Sequence, residues 1–327
     1  MRSICFVSLR RAVVAMLAAL GCVAAHPACA QYPTKPIRVF LPFGPGGIGD
    51  ITFRLVTNKI TQRSGIQFAI DNRPGAGGIQ SAMAGKSAAP DGYSLLQVGN
   101  SYALSTSLFA SLPYDVLKDF APISTLAQFD VLLAAKSSGE IGTIQRLVEI
   151  DRANPGKLNF GTISAGSTQN LSAEMFKALI GSKASIVPYK TSPELVTALQ
   201  RGDIDVSFDY LAAFAPAIAG NQIKIIASAG QTRSPLTPDT PTVVESGWPS
   251  YVVTSWNGIA APVGTPRAII DKLNGEITAV LKLPEVQDQF RQLGMETASS
   301  APEEMADRLK TDVGRWRDVI GKLGLRP

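Results

Sequence analysis

Two glycine turns carry the residues whose types and spacing point to chemistry. Gly44-Pro45-Gly46-Gly47-Ile48-Gly49-Asp50 follows the apolar run Val39-Phe40-Leu41, and Ser164-Ala165-Gly166-Ser167-Thr168 follows Leu158-Asn159-Phe160-Gly161. Each precedes a helix-like segment. Small residues at such a junction leave backbone N–H groups free at the positive end of a helix dipole, which binds anions without a charged side chain. The first turn offers the N–H groups of Gly46 and Gly47. The second offers those of Ser164, Ala165, Gly166, Ser167 and Thr168, together with three hydroxyl donors. The plainer roles of these residues are a tight turn and a helix cap. Phe43 suits either an apolar wall against a ligand's carbon skeleton or a place in the core. Asn100 and Ser101 follow a strand end, where α/β folds place ligand contacts. Asp209 follows the strand-like Ile204–Phe208 and suits an amino group or hydroxyl on a ligand, or a solvated loop. Asp50 suits the positive end of the first helix.

The elements that would hold these turns alternate along the chain. Strand-like Ile37–Pro42, helix-like Ile51–Arg63, strand-like Phe68–Asp71, a helix near Ile79–Ala88 and strand-like Ser94–Gly99 make up the first part. The middle repeats the rhythm: Val131–Ala135, Ile144–Ala153, Leu158–Gly161, Asn170–Ile180, Ile186–Pro188, Pro193–Arg201, Ile204–Phe208 and Ile223–Ala229. Such alternation predicts an α/β protein whose mainly parallel sheets are flanked by helices. Two stripes at helical spacing end the chain, Ile269 to Leu281 and Met305 to Ile320, and both read as core-facing. If the strand near Tyr251–Ala260 returns to the first sheet, domain 1 is residues 31–130 plus 254–327 and domain 2 is 131–253. Two chain crossings then make a hinge, and a hinge between two lobes makes a cleft.

The N-terminus reads as a secretory signal. Arg2, Arg10 and Arg11 precede an apolar run from Ala12, and Ala28-Cys29-Ala30 forms a small-x-small cleavage site, so residues 1–30 are expected to be removed after Ala30. That segment holds all three cysteines (Cys5, Cys22, Cys29) and the single histidine, His26. A chain without them has no disulfide, no Cys or His nucleophile–base pair and no Cys/His zinc site. The expectation is a periplasmic, non-enzymatic protein with no cofactor and no metal. The net charge of +5 falls to about +2 once the three arginines of the signal are gone, and no basic cluster is interleaved with aromatics, which argues against nucleic acid as a partner.

One motif points elsewhere. Gly44 to Gly49 matches G-x-G-x-x-G after a strand, and Asp71 lies about 20 residues further on, where a ribose-binding acid would sit. This supports an exported dinucleotide-dependent oxidoreductase as the alternative. Against it, Pro45 removes a backbone donor from the phosphate cradle, and Asp71-Asn72-Arg73-Pro74-Gly75 reads as a turn that Asp71 initiates.

Taken in order, the blocks of the chain resemble the Bug-type periplasmic receptors of tripartite tricarboxylate transporters. The similarity runs through Tyr32-Pro33, Pro42-Phe43-Gly44-Pro45-Gly46-Gly47 with Asp50, Asn72-Arg73-Pro74-Gly75-Ala76-Gly77-Gly78 and Pro90-Asp91-Gly92-Tyr93. It continues through Leu112-Pro113-Tyr114-Asp115, Asn154-Pro155-Gly156, Val187-Pro188-Tyr189-Lys190, Pro241-Thr242-Val243, Trp256-Asn257-Gly258 and Ala261-Pro262 with Gly264-Thr265-Pro266. The resemblance implies the two-lobed periplasmic binding protein fold with a two-strand hinge. It also implies a monomer that holds a small organic anion between its lobes: a di- or tricarboxylate, an acidic amino acid or an aromatic carboxylate. The closed form would hand that anion to membrane permease subunits; a ligand-sensing role beside a signalling protein is the second alternative. This chain departs from the family pattern at Ser164, Asn170 and Thr191, where the family usually has glycine, histidine and glycine.

Overall fold

The computed structural model describes residues 32–235 and 237–324, and the chain divides into two units at Thr34/Lys35. The signal-segment residues discussed above lie outside the described residues. All elements below belong to the second unit.

The first half opens with β1 (Ile37–Leu41), α1 (Ile48–Ser64), β2 (Phe68–Asn72), α2 (Ile79–Lys86), β3 (Ser94–Gly99) and α3 (Asn100–Leu108), and ends on the long strand β4 (Phe120–Asp130). The middle of the chain contains β5 (Leu132–Lys136), α4 (Ile144–Ala153), β6 (Asn159–Ile163), α5 (Thr168–Ile180) and β7 (Ser185–Tyr189). It continues through α6 (Ser192–Arg201), β8 (Val206–Asp209), α7 (Leu211–Ala219) and β9 (Ile223–Ser228). The chain then returns through β10 (Thr254–Pro262), α8 (Arg267–Leu281), α9 (Pro284–Gln292), β11 (Glu296–Thr297) and α10 (Pro302–Leu323).

These strands form two sheets. One has the order β11-β4-β10-β3-β1-β2, the other β7-β6-β8-β5-β9. The expectation of mainly parallel sheets holds for the trios β3-β1-β2 and β7-β6-β8 and fails beyond them. There β10 pairs antiparallel with both β3 and β4, and β5 pairs antiparallel with β8 and β9. The antiparallel strands are those next to the crossings between sheets. β4 runs into β5 through Val131 alone, so β5 enters the second sheet without the helical crossover that a parallel neighbour needs. The return crossing enters β10 through Val253. Backbone hydrogen bonds tie the crossings together: Val253 N–H to the Ala229 carbonyl at 2.8 Å and Ala229 N–H to the Val131 carbonyl at 2.8 Å. Val131, Ala229 and Val253 are fully buried.

Each lobe has its own core. In the second, Leu132, Ile163, Leu195, Leu199, Ile204 and Phe214 pack together. In the first, the tail helices supply the expected apolar stripes: Leu273, Ile277 and Val280 from α8, and Met305, Leu309 and Trp316 from α10, are buried. Trp316 reaches across to donate its indole N–H to Asn100 Oδ1 at the start of α3.

Candidate functional site

Between the sheets lies a narrow cavity of about 30 Å³. The lobes are closed on each other. Five helices begin at this cavity. Gly47, Gly99, Thr191 and Tyr210 are the N-cap residues of α1, α3, α6 and α7, Thr168 is the first residue of α5, and all five line the wall. Parallel strands followed by helices put the helix N-termini at the carboxyl edge of a sheet, and here two such edges face each other. No side chain caps α1, α3 or α7, so the first-turn N–H groups of these helices have no capping acceptor. Among the described residues Lys190 is the one charged residue that lines the wall, and no acidic residue does. The summed potential therefore favours an anion.

Four of the sequence candidates line this cavity: Phe43, Gly47, Ser101 and Thr168. Phe43 lines the cavity and also packs across the cleft against the core of the second lobe. Gly46 is positioned differently. Its N–H donates to Asp50 Oδ2 at 3.2 Å, so that donor is already used, and the residue faces a surface groove beside Pro193. Asp50 is thus the support of the first turn. It also accepts from Asn72 Nδ2 at 3.1 Å and Arg54 Nε at 3.0 Å. Burial alone would raise the Asp50 carboxyl, but the hydrogen bonds from Arg54, the Gly46 N–H and Asn72 together hold it below the ordinary carboxylate range.

In the second turn only Thr168 reaches the wall. Ser164 is half-buried and Ala165 exposed, both away from the cavity. At Gly166 a β-carbon would meet Gly77 Cα at 3.1 Å and Phe109 Cε2 at 3.0 Å, so this glycine packs against the opposite lobe. Ser167 caps α5, accepting the Asn170 N–H at 3.0 Å and donating to the Ile163 carbonyl. Its hydroxyl is consumed by the helix cap. Thr168 Oγ1 accepts from Asn100 Nδ2 at 3.1 Å and lies 3.3 Å from the Ser255 hydroxyl. Asn100, 2 % exposed, is accordingly an interlobe bridge behind the wall.

Asp209 is fully buried one layer behind the wall. It accepts from Gln169 Nε2 at 2.9 Å and from the Tyr210 N–H at 2.9 Å, and Tyr210 in turn donates its hydroxyl to Gln169 Oε1 at 3.2 Å. Burial raises the Asp209 carboxyl, and the nearby Ser192 hydroxyl, Gln169 and the Tyr210 N–H offset this only partly. Ser192 approaches closely enough to favour the charged carboxylate but has no partner in hydrogen-bonding geometry, and neither does Asp209 Oδ2. Asp209 thus orients Gln169 and Tyr210, which line the cavity.

The sequence reading missed a third turn, Lys190-Thr191-Ser192, and the sheet residues Gln97, Ser255, Trp256 and Asn257. A signal was present for the turn. Thr191-Ser192-Pro193 reads as an N-cap followed by proline in the first helical turn, and Thr191 Oγ1 accepts the Glu194 N–H at 3.3 Å. Closure brings this turn against the first one. At Gly44 a β-carbon would lie 2.5 Å from Thr191 Cγ2, so glycine is the residue that fits there when the lobes are closed.

The dinucleotide alternative finds no support here. Asp71 is ion-paired with Arg38 at 2.6 Å and Arg73 at 3.0 Å, and the donor of Gly46 is taken. Among the described residues no cluster of three His, Cys, Asp or Glu side chains could hold a metal ion, and no helix is long and apolar enough to cross a membrane.

Comparison with known proteins agrees with this geometry. Residues 52–325 match the family described as tripartite tricarboxylate transporter family receptor. A Cupriavidus necator protein encoded in the gbd 5′ region is 32% identical over 320 residues, covering 97% of this chain and 96% of the relative. The structure of R. palustris Rpa4515 with adipate superposes with a TM-score of 0.87 at 29% identity, over 90% of this chain and 99% of the other. The periplasmic binding protein BugD gives 0.87 at 27% identity, over 90% and 100%.

Proposed function

Because the chain belongs to the tripartite tricarboxylate transporter receptor family, we propose that its interlobe cavity captures one small organic carboxylate and that the closed form delivers it to a membrane permease. The protein is a solute-binding receptor and not an enzyme. One observation carries the carboxylate assignment: five helix N-termini open onto a cavity whose wall, among the described residues, has no acidic residue. Charge-assisted hydrogen bonds contribute about 1.5–3 kcal/mol each, so a few of them support micromolar binding, about −8 kcal/mol, after ordering costs. A receptor that binds through backbone donors and one exposed lysine holds its ligand without the desolvated ion pair that would slow release. The adipate in Rpa4515 shows that a structurally similar receptor takes a dicarboxylate.

In this reading residues 31–130 plus 254–327 and residues 131–253 move as two bodies about Val131 and Val253. The wall residues Phe43, Gly47, Ser101 and Thr168 make contact with the ligand, and Asn100 bridges the lobes as they close. The precursor is exported to the periplasm, cleaved after Ala30, and acts as a monomer. Calorimetry against a panel of mono-, di- and tricarboxylates tests the reading. It expects micromolar binding of at least one member and none of NAD; binding of NAD alone would reject it.

A further inference from the structure

The wall of the cavity carries polar atoms that a carboxylate group alone does not fully satisfy. Gln97 (5% exposed) on β3 and Asn257 (1% exposed) on β10 both line it. Gln97 Oε1, Asn257 Oδ1 and Asn257 Nδ2 have no hydrogen-bond partner. The two side chains emerge from adjacent antiparallel strands, with one residue pair between them: Gln97 lies opposite Ile259, and Asn257 opposite Gly99. Paired residues share a sheet face, so both amides point toward the start of α1. Their placement is built in. At Gly49 a β-carbon would fall 2.6 Å from Gln97 Oε1, so a glycine in the first turn of α1 makes room for this amide.

An ionised carboxylate only accepts hydrogen bonds. It meets the helix N-termini and the Asn257 amide donor but leaves the two amide oxygens unpaired. A ligand that satisfies them carries a donor of its own beside its carboxylate. That donor is a hydroxyl rather than an ammonium, because no acidic side chain among the described residues lines the cavity and five positive helix ends face it. From this juxtaposition of unpaired Gln97 and Asn257 amides with converging helix N-termini, we infer that the receptor selects hydroxy-substituted carboxylates and that Asn257 and Gln97 read the hydroxyl. The inference rests on the carboxylate reading above and narrows it.

Three matched series test it by calorimetry on the mature protein: succinate, malate and aspartate; propionate, lactate and alanine; glutarate, 2-hydroxyglutarate and glutamate. In each series only one substituent changes from hydrogen to hydroxyl to ammonium. The expected result is at least a tenfold affinity advantage of the hydroxyl member in the series whose length fits. Asn257→Leu and Gln97→Met, both close in volume to the residues they replace, should each shrink that advantage to about twofold. Equal or tighter binding of the unsubstituted or amino member overturns the inference while leaving the carboxylate reading intact, as does an advantage that survives both substitutions. Binding of none of the nine overturns this inference; if the wider carboxylate panel fails to bind as well, the carboxylate reading falls with it.

Discussion

Gly44→Ala isolates closure from folding. Gly44 and Thr191 belong to different lobes and meet only when the cleft is shut. A β-carbon at position 44 would sit 2.5 Å from Thr191 Cγ2 and 3.3 Å from the Lys190 carbonyl oxygen. Ordinary contact begins near 3.4 Å, so the added methyl overlaps the threonine methyl by about 1 Å, and the rim of the cleft must back away. Overpacking of this kind costs about 1–3 kcal/mol, which falls on the closed state alone and weakens binding by about 5- to 150-fold. The open, ligand-free protein makes no such contact, so its urea unfolding should change by less than about 0.5 kcal/mol. Thr191→Ser removes the offending methyl yet keeps the hydroxyl that accepts the Glu194 N–H, and the double variant should recover most of the lost affinity. Calorimetry with the tightest carboxylate of the panel, run on all four proteins, gives the coupling energy. The reasoning is refuted if Gly44→Ala binds normally, if Thr191→Ser fails to rescue it, or if the free protein loses as much stability as the complex.

Three further outcomes follow from the same geometry. Asn100→Leu strands the Trp316 indole N–H and removes the donor to Thr168. It should cost about 2–4 kcal/mol, at about 1–3 kcal/mol per unpaired buried group, read as a fall in the urea midpoint. Asp209→Asn keeps an acceptor for Gln169 and the Tyr210 N–H while removing a carboxyl whose charged form burial disfavours. It should be neutral or stabilising at pH 8, whereas Asp209→Leu should destabilise, by the same measurement. Asp130, beside the crossing at Val131, has its carboxyl pushed up to about 6 by burial and by the charge of Glu296. Its folded value lies above the ordinary 3.8, so its contribution is fully present below about pH 4 and is lost as the pH rises through about 6, a change on the order of 2–3 kcal/mol. Asp130→Asn should flatten that part of the stability–pH curve.

Much of this was legible in the sequence, for identifiable reasons. Helices with a clear apolar stripe or cap, such as Ile144–Ala153 behind Thr143 and the striped Arg267–Leu281, announce themselves through local chemistry. α3 and α7 do not. Asn100–Leu108 is rich in serine and threonine and buried along its first six residues, and Leu211–Ala219 is apolar throughout with Pro216 inside it. Neither has a polar face to set a period. The antiparallel placement of β5 and β10 is a property of the crossings, which no local pattern encodes. At the site, glycine turns revealed two jaws, but Gly46 and Ser167 turned out to be engaged by their own turns. Gln97 and Asn257 sit inside strands, where a polar residue gives no sign of which cavity it faces until neighbouring strands are in register.

The central claim, that main-chain donors at facing helix N-termini grip an organic anion between the lobes, is tested most directly by a crystal structure of the mature protein with the tightest carboxylate of the panel. It should show carboxylate oxygens about 2.7–3.2 Å from first-turn N–H groups of helices in both lobes, with Thr168 and Gly47 in contact with the ligand. A ligand outside this cavity, or one whose carboxylate is held by a side-chain cation and no helix N-terminus, would contradict the account.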